Sequence, residues 1–427
     1  MYSIKKIKAR QIFDSRGVPT VECVVKTAFG KFVSSVPSGK STGDKEAIEL
    51  RDGEKAFGGK GVTNAVRNIN EILSVALTGV DCRDQEKVDS ILLKEDGTPN
   101  KSKLGANALL AVSLATARAG AIGSKKELFE YISDLSKREA SLPVPVLNII
   151  NGGVHAGNNL DFQEYQIMPI KFKTFKEAFF AGVEVYDTLR NNLEKKYGKA
   201  STNVGDEGGF APNLNKVEEP IDEILQAIES TGHVGDIGVS MDVAASEFSN
   251  KQDDGKITYN VEGHTLTKEQ LLIEYESLLE SYNLVSIEDP FDENDFEGWS
   301  EMYSKLSKRV QIMGDDLTVS NKEFVKNAIN KKLANALLLK VNQVGTLTEA
   351  IASANLAFEN NWNVQVSHRS GETNDYFIAD LATGIGAGQM KSGAPCRGER
   401  LAKYNRLLKI EEEFNVPFAK NKCFPKF

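Results

Sequence analysis

In the second half of the chain, short β-branched or apolar runs each end on a residue that can do chemistry. Ile237-Gly238-Val239-Ser240-Met241 leads into Asp242, and Leu284-Val285-Ser286-Ile287 into Glu288. Val310-Gln311-Ile312-Met313 leads to Asp315, Ala336-Leu337-Leu338-Leu339 to Lys340, and Val364-Gln365-Val366 to Ser367 and His368. Three carboxylates at successive strand ends form a hard-oxygen cage. With no cysteine near them and four histidines in the whole chain, Mg²⁺ is the guest they suit. Any one of these acids alone reads better as a helix cap; three together do not. Lys340 closes an otherwise apolar strand. There, desolvation and a neighbouring metal charge would lower its pKa into the range of a general base. A salt bridge to the same acids is the other reading, and both can hold.

A second set of acids lies among glycines. Gln163-Glu164 follows Gly152-Gly153-Val154-His155-Ala156-Gly157, and Asp206-Glu207 sits inside Val204-Gly205-Asp206-Glu207-Gly208-Gly209. Each stretch alone reads as a surface turn. As a pair they offer a general acid that protonates a leaving hydroxyl opposite a basic lysine. Ser367-His368-Arg369-Ser370-Gly371 puts a guanidinium and a hydroxyl at a strand end, suited to a phosphate. Lys391 and Gly393 lie in another such loop. Gly39-Lys40-Ser41-Thr42 imitates the end of a nucleotide-binding P-loop, but the required first glycine falls at Ser34 and Pro37 intervenes. The glycines around it suit a mobile loop instead.

These residues need a scaffold that brings strand ends together. The markers from Glu288 onward stand 27, 25 and 28 residues apart, the length of one strand-plus-helix unit. Strands of this kind close into a (β/α) barrel, and the residues at their C-terminal ends gather at one mouth. The segment from Thr174 to Tyr197 reads as an amphipathic helix burying Phe175, Phe179, Val183, Tyr186 and Leu193. Ahead of the barrel, Thr20 to Thr27 alternates as an antiparallel strand does, and Thr63 to Lys137 turns helical, making a compact α+β unit. Pro143 and Pro145 mark the junction. The expected architecture is α/β, a C-terminal (β/α)8-type barrel in residues 139–427 with an N-terminal α+β capping domain in residues 1–138.

A net charge of -8 in 427 residues argues against a nucleic-acid partner, which calls for a basic face. The apolar stretch Ala106 to Gly123 is mostly alanine with Asn107, Ser113, Thr116 and Arg118, a packed helix rather than a membrane span. No apolar signal core follows Met1-Tyr2-Ser3. Cys23, Cys82, Cys396 and Cys423 lack metal-type spacing and read as reduced thiols of a cytosolic enzyme.

With these residues in hand, the sequence resembles the enolases across nearly its whole length. The matching segments include Phe13 to Gly17, Ser41-Thr42-Gly43, Asn100 to Asn107, Val204 to Gly209 and Ser240 to Phe248. They continue through Ile287 to Pro290, Gly314 to Thr318, Leu339 to Gln343 and Ser367 to Glu372. The resemblance implies a cytoplasmic glycolytic lyase that interconverts 2-phosphoglycerate and phosphoenolpyruvate through an enolate held by two Mg²⁺ per site. It implies Asp242, Glu288 and Asp315 as ligands of the first ion, with Ser41 helping a second as its loop closes. Lys340 resembles the base at carbon 2, and Glu207, supported by Glu164, the acid at carbon 3. His155, His368, Arg369, Ser370 and Lys391 resemble substrate contacts. A homodimer or ring of dimers is implied too.

Val18, Lys40, Val154 and Gly398 depart from the family pattern, and Lys40 and Val154 fall in the closing loops. Two rivals compete with this reading. One is an enzyme that enolises another carboxylic acid, which need not keep Glu164, Glu207, Ser41 and Arg369-Ser370 together. The other is a structural or plasminogen-binding role. Receptor activity in the family is often tied to exposed lysines, including a C-terminal one, whereas this chain ends Pro425-Lys426-Phe427.

Overall fold

The computed structural model describes residues 2–40, 43–253 and 255–419. Ser41, Cys423 and the Pro425-Lys426-Phe427 end therefore lie outside the described residues. The chain opens with three antiparallel strands, β1 (Lys6–Phe13), β2 (Pro19–Lys26) and β3 (Lys31–Ser35). The alternation around Thr20 is visible in β2, where Val21, Cys23 and Val25 are fully buried. Helices then follow through Gln85–Asp96, Ala106–Gly123 and Leu128–Ser136. Among the described residues, Ala106–Gly123 is long and apolar enough to cross a membrane, yet 89% of it is buried inside the protein. Its small side chains let it lie close against the sheet, where Ser34 donates to the Ala111 carbonyl at 2.5 Å.

Eight strands then close into a barrel: β4 (Val144–Asn151), β5 (Glu164–Pro169), β6 (Ile237–Asp242), and, after a small sheet, five more. The small sheet is β7 (Ser249–Lys251), β8 (Ile257–Val261) and β9 (His264–Thr267). The barrel resumes with β10 (Leu284–Glu288), β11 (Gln311–Gly314), β12 (Ala336–Leu339), β13 (Asn363–Ser367) and β14 (Gly388–Lys391). Every strand end read from the 25–28-residue spacing is a barrel strand.

Three features differ from the sequence reading. First, β5 runs antiparallel to both of its neighbours, whereas the other adjacent pairs are parallel. The helices Phe175–Tyr197 and Glu218–Ser230 both fall after it. Second, Pro145 lies inside β4. It precedes Leu147, where pairing with β5 begins, so its missing N–H removes no bond on that side. Third, Val183 points outward from its helix at 37% exposure, and Gly182 takes the inner position. A Cβ on Gly182 would fall 2.3 Å from Leu147 Cδ1, so only glycine lets this helix touch the barrel wall there.

Beneath the mouth the barrel holds a layer of polar side chains, two residues before the strand ends on β6, β10 and β14. Ser240 donates to Gln166 at 2.8 Å, and Gln311 reaches Ser286 at 3.0 Å. The amides of Gln311 and Gln389 bond each other reciprocally at 3.0 and 2.9 Å. All five side chains are nearly water-free, so each polar atom depends on its partner. Gln389→Met should therefore destabilise the protein by about 1–3 kcal/mol, and Gln311→Met/Gln389→Met together should cost less than the sum. Thermal unfolding midpoints of the two single variants and the double variant check this; additive losses would contradict the pairing.

Candidate active site

The register of the barrel sets the height of the acids. Asn151 pairs with Glu164, Glu164 with Asp242, and Asp242 with Glu288, so these four stand side by side around the mouth. Glu164 reaches this row because β5 is reversed: it is the first residue of its strand, whereas Asp242 and Glu288 are the last of theirs. Asp315 and Lys340 follow directly on β11 and β12, and His368 to Ser370 follow β13. Lys391 is the last residue of β14 and is buried, not part of a surface loop as its glycine-rich surroundings suggest.

Glu207 comes from a connection rather than a strand end. Val204 and Phe210 pair across its base, and Phe210 exchanges backbone bonds of 2.9 and 2.8 Å with Ile149 and Asn151 of β4. Gly208 at φ +87° makes the turn. His155 lies in a single 3-10 turn between β4 and β5. The result is one cavity lined by His155, Glu164, Glu207, Asp242, Lys340, His368, Arg369, Ser370 and Lys391.

Charge is sorted within it. The Lys391 ammonium lies 2.8 and 2.9 Å from the two oxygens of Glu288, 3.3 Å from Asp242 and 3.4 Å from Glu164. Burial alone would pull this lysine down, but Glu164, Glu288 and Asp242 hold it well above its ordinary range. Lys340 is paired with Asp315, whose other oxygen takes a 2.9 Å bond from Gln343. The lowering expected of Lys340 from burial is real but is outweighed by the Asp315 carboxylate, so the ammonium sits above its usual value. Glu288 is pushed well up by burial and by Asp242.

Asp242, Glu288 and Asp315 are each buried and offer only carboxylate oxygens, the donor chemistry a hard divalent cation takes. They do not form one tight group. Among the described residues, the sets with ligand atoms within 4.8 Å of one another are His155, Glu164 and Glu207, and Asp289, Asp315 and Asp316. Asp289 binds the backbone N–H groups of Asp315 and Asp316 at 2.8 Å each, which holds the turn after β11. Ser41 lies outside the described residues.

The Glu164–Glu207 pair is polarised. Burial and the charge of Glu207 raise Glu164 well above the usual carboxylate range. Glu207 is buried as fully, yet His368 at 3.4 Å and His155 at 3.6 Å hold it well below that range. Of the two, Glu164 is the one that favours holding a proton and Glu207 the one that favours the charge. Asn148 donates to Glu207 at 3.0 Å, and Gln166 to Glu164 at 2.8 Å. Among the described residues, both ring nitrogens of His155 and Nε2 of His368 have no hydrogen-bond partner although all are buried. Such groups await a polar guest.

Arg369 is gripped by both oxygens of Glu46, at 2.9 and 3.2 Å, and reaches Asn342 at 3.2 Å. Arg16 donates to Ser370 at 3.2 Å while it is paired with Asp14. Gly39 lies flat against the Arg369 guanidinium: a Cβ there would fall 1.8 Å from Nη2. The loop that carries Gly39 is tied down by reciprocal backbone bonds of 2.8 and 2.9 Å between Ser38 and Gly371. The two loop departures meet each other, with Lys40 donating to the Val154 carbonyl at 2.5 Å and lying 3.6 Å from Asp206. Glu46, Asn148, Gln166, Gln343 and Arg400 were not singled out in the sequence. Gln166 alone carried a local signal, its two-residue spacing from Glu164.

A barrel mouth with buried carboxylates, two buried ammonium groups and an acid pair of opposed proton affinity has the make-up of an acid–base enzyme for an anionic substrate and a divalent cation. Two family models match the chain. "Enolase, N-terminal domain" covers residues 4–132 and "Enolase, C-terminal TIM barrel domain" covers residues 139–423. The chain is also similar to the enolase of Methanocaldococcus jannaschii, at 51% identity over 416 residues, 97% of this chain and 96% of that one. The chain belongs to the enolase family, and it is a hydro-lyase, a phosphopyruvate hydratase that reversibly dehydrates 2-phosphoglycerate to phosphoenolpyruvate. Mg²⁺ is the cation that family implies, and the donor set fits it.

Gly39→Ala should force Arg369 off Glu46 and lower kcat/KM by about 10²-fold, the scale of a 1 Å misplacement, without changing the melting temperature. Steady-state kinetics with a parallel melt would expose an unaffected enzyme. Lys40→Met should change KM by no more than several-fold, because its bonds are solvent-exposed.

Proposed function

We propose a division of labour within this site. Lys340 removes the proton from carbon 2 of 2-phosphoglycerate, and Glu207, working with Glu164, gives a proton to the hydroxyl leaving carbon 3. Asp242, Glu288 and Asp315 hold one Mg²⁺, and Ser41 assists a second, making two per site. Bound there, the cations supply stabilisation of the charge that gathers on the substrate carboxylate. Lys391 contacts that carboxylate, Arg369 and Ser370 take the phosphate, and His155 and His368 border the leaving group.

The single observation behind this assignment is that Lys340 and the Glu164–Glu207 pair line the same cavity. A base that follows β12 and an acid from the connection after the first long barrel helix would thus meet one small substrate. Burial and the charge of Glu207 favour a proton on Glu164, and an acid pair that must donate one needs such a reserve. Lys340 must lose its proton to act. Its contact with Asp315 supports a shared role, since a cation drawn to Asp315 would loosen that ion pair and lower the ammonium. The buried, partnerless nitrogens of His155 and His368 support a polar substrate between them.

Residues 1–138 act in this reading as a capping domain for the barrel of residues 139–427. They bring Arg16, Gly39 and Glu46 against Ser370 and Arg369, and Ser38 against Gly371. A cytoplasmic setting in glycolysis and assembly as a homodimer or ring of dimers belong to the same reading and rest on the family resemblance. Light scattering on the purified protein tests the assembly, and a monomer would remove that part.

The first assay follows the ultraviolet absorbance of the enol product from 2-phosphoglycerate and Mg²⁺, with EDTA as control. Lys340→Ala should lower kcat at least about 10²–10⁴-fold with an unchanged circular dichroism spectrum; near-normal turnover would refute its role as base. Glu207→Gln should slow dehydration strongly yet leave exchange of the carbon-2 proton with solvent, read by deuterium incorporation. Loss of exchange along with turnover would sink the separation of acid from base.

A further inference from the structure

Arg400 belongs to the last helix, Gly398–Glu413, and its side chain is fully buried. Its Nε lies 3.4 Å from the Glu399 carboxylate, and the two terminal nitrogens touch four further groups. Nη1 lies 2.6 Å from His368 Nδ1 and 2.6 Å from the Arg369 carbonyl. Nη2 lies 2.6 Å from the Ser370 carbonyl and 3.0 Å from that of Asp206. One side chain thus ties three consecutive residues after β13 to the residue before Glu207.

A guanidinium has donors only and keeps its proton. Whatever nitrogen faces it at 2.6 Å must accept, so His368 Nδ1 carries the lone pair. A neutral imidazole has one donor and one acceptor, which leaves the hydrogen on Nε2. Nε2 lies 3.4 Å from Glu207 Oε1 and has no hydrogen-bond partner among the described residues. An imidazolium would set an N–H against the guanidinium, and burial together with Arg400 keeps the ring neutral, pushed down to about 3 despite Glu207.

We propose that Arg400 is a positioning residue that locks His368 as the Nε2–H tautomer, so that His368 serves as a fixed donor to Glu207 and neither gives nor takes a proton itself. As a proton passes from the acid pair through Glu207 to the departing hydroxyl, negative charge grows on the Glu207 carboxylate, and a donor held 3.4 Å from it stabilises that charge. The opposite tautomer would turn a lone pair toward the same oxygen. The proposed effect on turnover rests on Glu207 being the acid; the tautomer itself does not.

The test is long-range proton–nitrogen NMR on the full-length protein labelled at its four histidines, His155, His233, His264 and His368. The His368 signal is assigned by its loss in His368→Gln. The expected pattern is a neutral ring protonated at Nε2, unchanged from pH 8 to pH 5. A ring protonated at Nδ1, or an imidazolium at neutral pH, overturns the proposal with no variant needed.

Arg400→Gln supplies a carbonyl that can accept from Nδ1. It should shift His368 toward the Nδ1–H form and lower kcat about tenfold or more, with KM within about twofold. Arg400→Lys, which can only donate, should keep the Nε2–H form and recover most of kcat. If His368 stays Nε2–H in a folded Arg400→Gln protein, Arg400 does not set the tautomer. If the tautomer shifts and kcat does not, the lock stands and the assignment of Glu207 as acid falls.

Discussion

The mouth of this barrel has to keep several carboxylates dry and close together, and everything around it answers that demand. Asp242, Glu288, Glu164 and Glu207 are each almost wholly removed from water. Ionised acids so placed repel one another and lose their hydration, and only counter-charge or shared protons can hold them. Lys391 meets this at the centre, touching three of them at once. Lys340 does so for Asp315, and in the acid pair the strain is eased by the upward shift of Glu164, which favours its neutral form. Chemistry and stability are coupled here, because the groups that neutralise the acids in the resting chain are those proposed to act on substrate.

Such a cluster needs a rigid support. The polar layer beneath it gives one: Gln166, Ser240, Ser286, Gln311 and Gln389 bond across the barrel and leave little freedom to the strand ends above. Outside the barrel, the turn after β11 is held by Asp289, the Glu207 connection by backbone bonds to β4, and the residues after β13 by Arg400. The N-terminal segment completes the enclosure, where Glu46 and Gly39 frame the Arg369 guanidinium. Each of these supports fixes only a few near neighbours, so positional accuracy is spread through the fold.

How much of this the sequence disclosed depended on whether the signal was local. Asp242, Glu288, Asp315, Lys340 and His368 could be read because each closes an apolar run and the runs recur at the length of a strand-plus-helix unit. β14 escaped notice because Gly388-Gln389-Met390-Lys391 is too short and polar to look like a strand, so Lys391 seemed a loop residue. The reversal of β5 left no mark, since Glu164 to Pro169 has the same alternation in either direction. Pro145 misled because a proline tolerated at a strand start resembles a proline at a boundary. Arg400, Glu46 and Gln343 act on partners far along the chain, and nothing within a few residues of them encodes those distances. The departures at Lys40 and Val154 were visible singly, but their contact with each other was not.

The reversed strand separates holding from moving. The segment between β4 and β5 is clamped at its base, where Gly152 binds Gln163 at 2.9 Å and Gly153 binds Leu160 at 2.8 Å. Glu164 lies on the wall side of that clamp, paired with Asn151 and Asp242, while His155 lies on the free side. Any swing of the segment therefore carries the imidazole and leaves the carboxylate where it was. The pair's spacing is set once, when the barrel closes, and need not be rebuilt at every turnover.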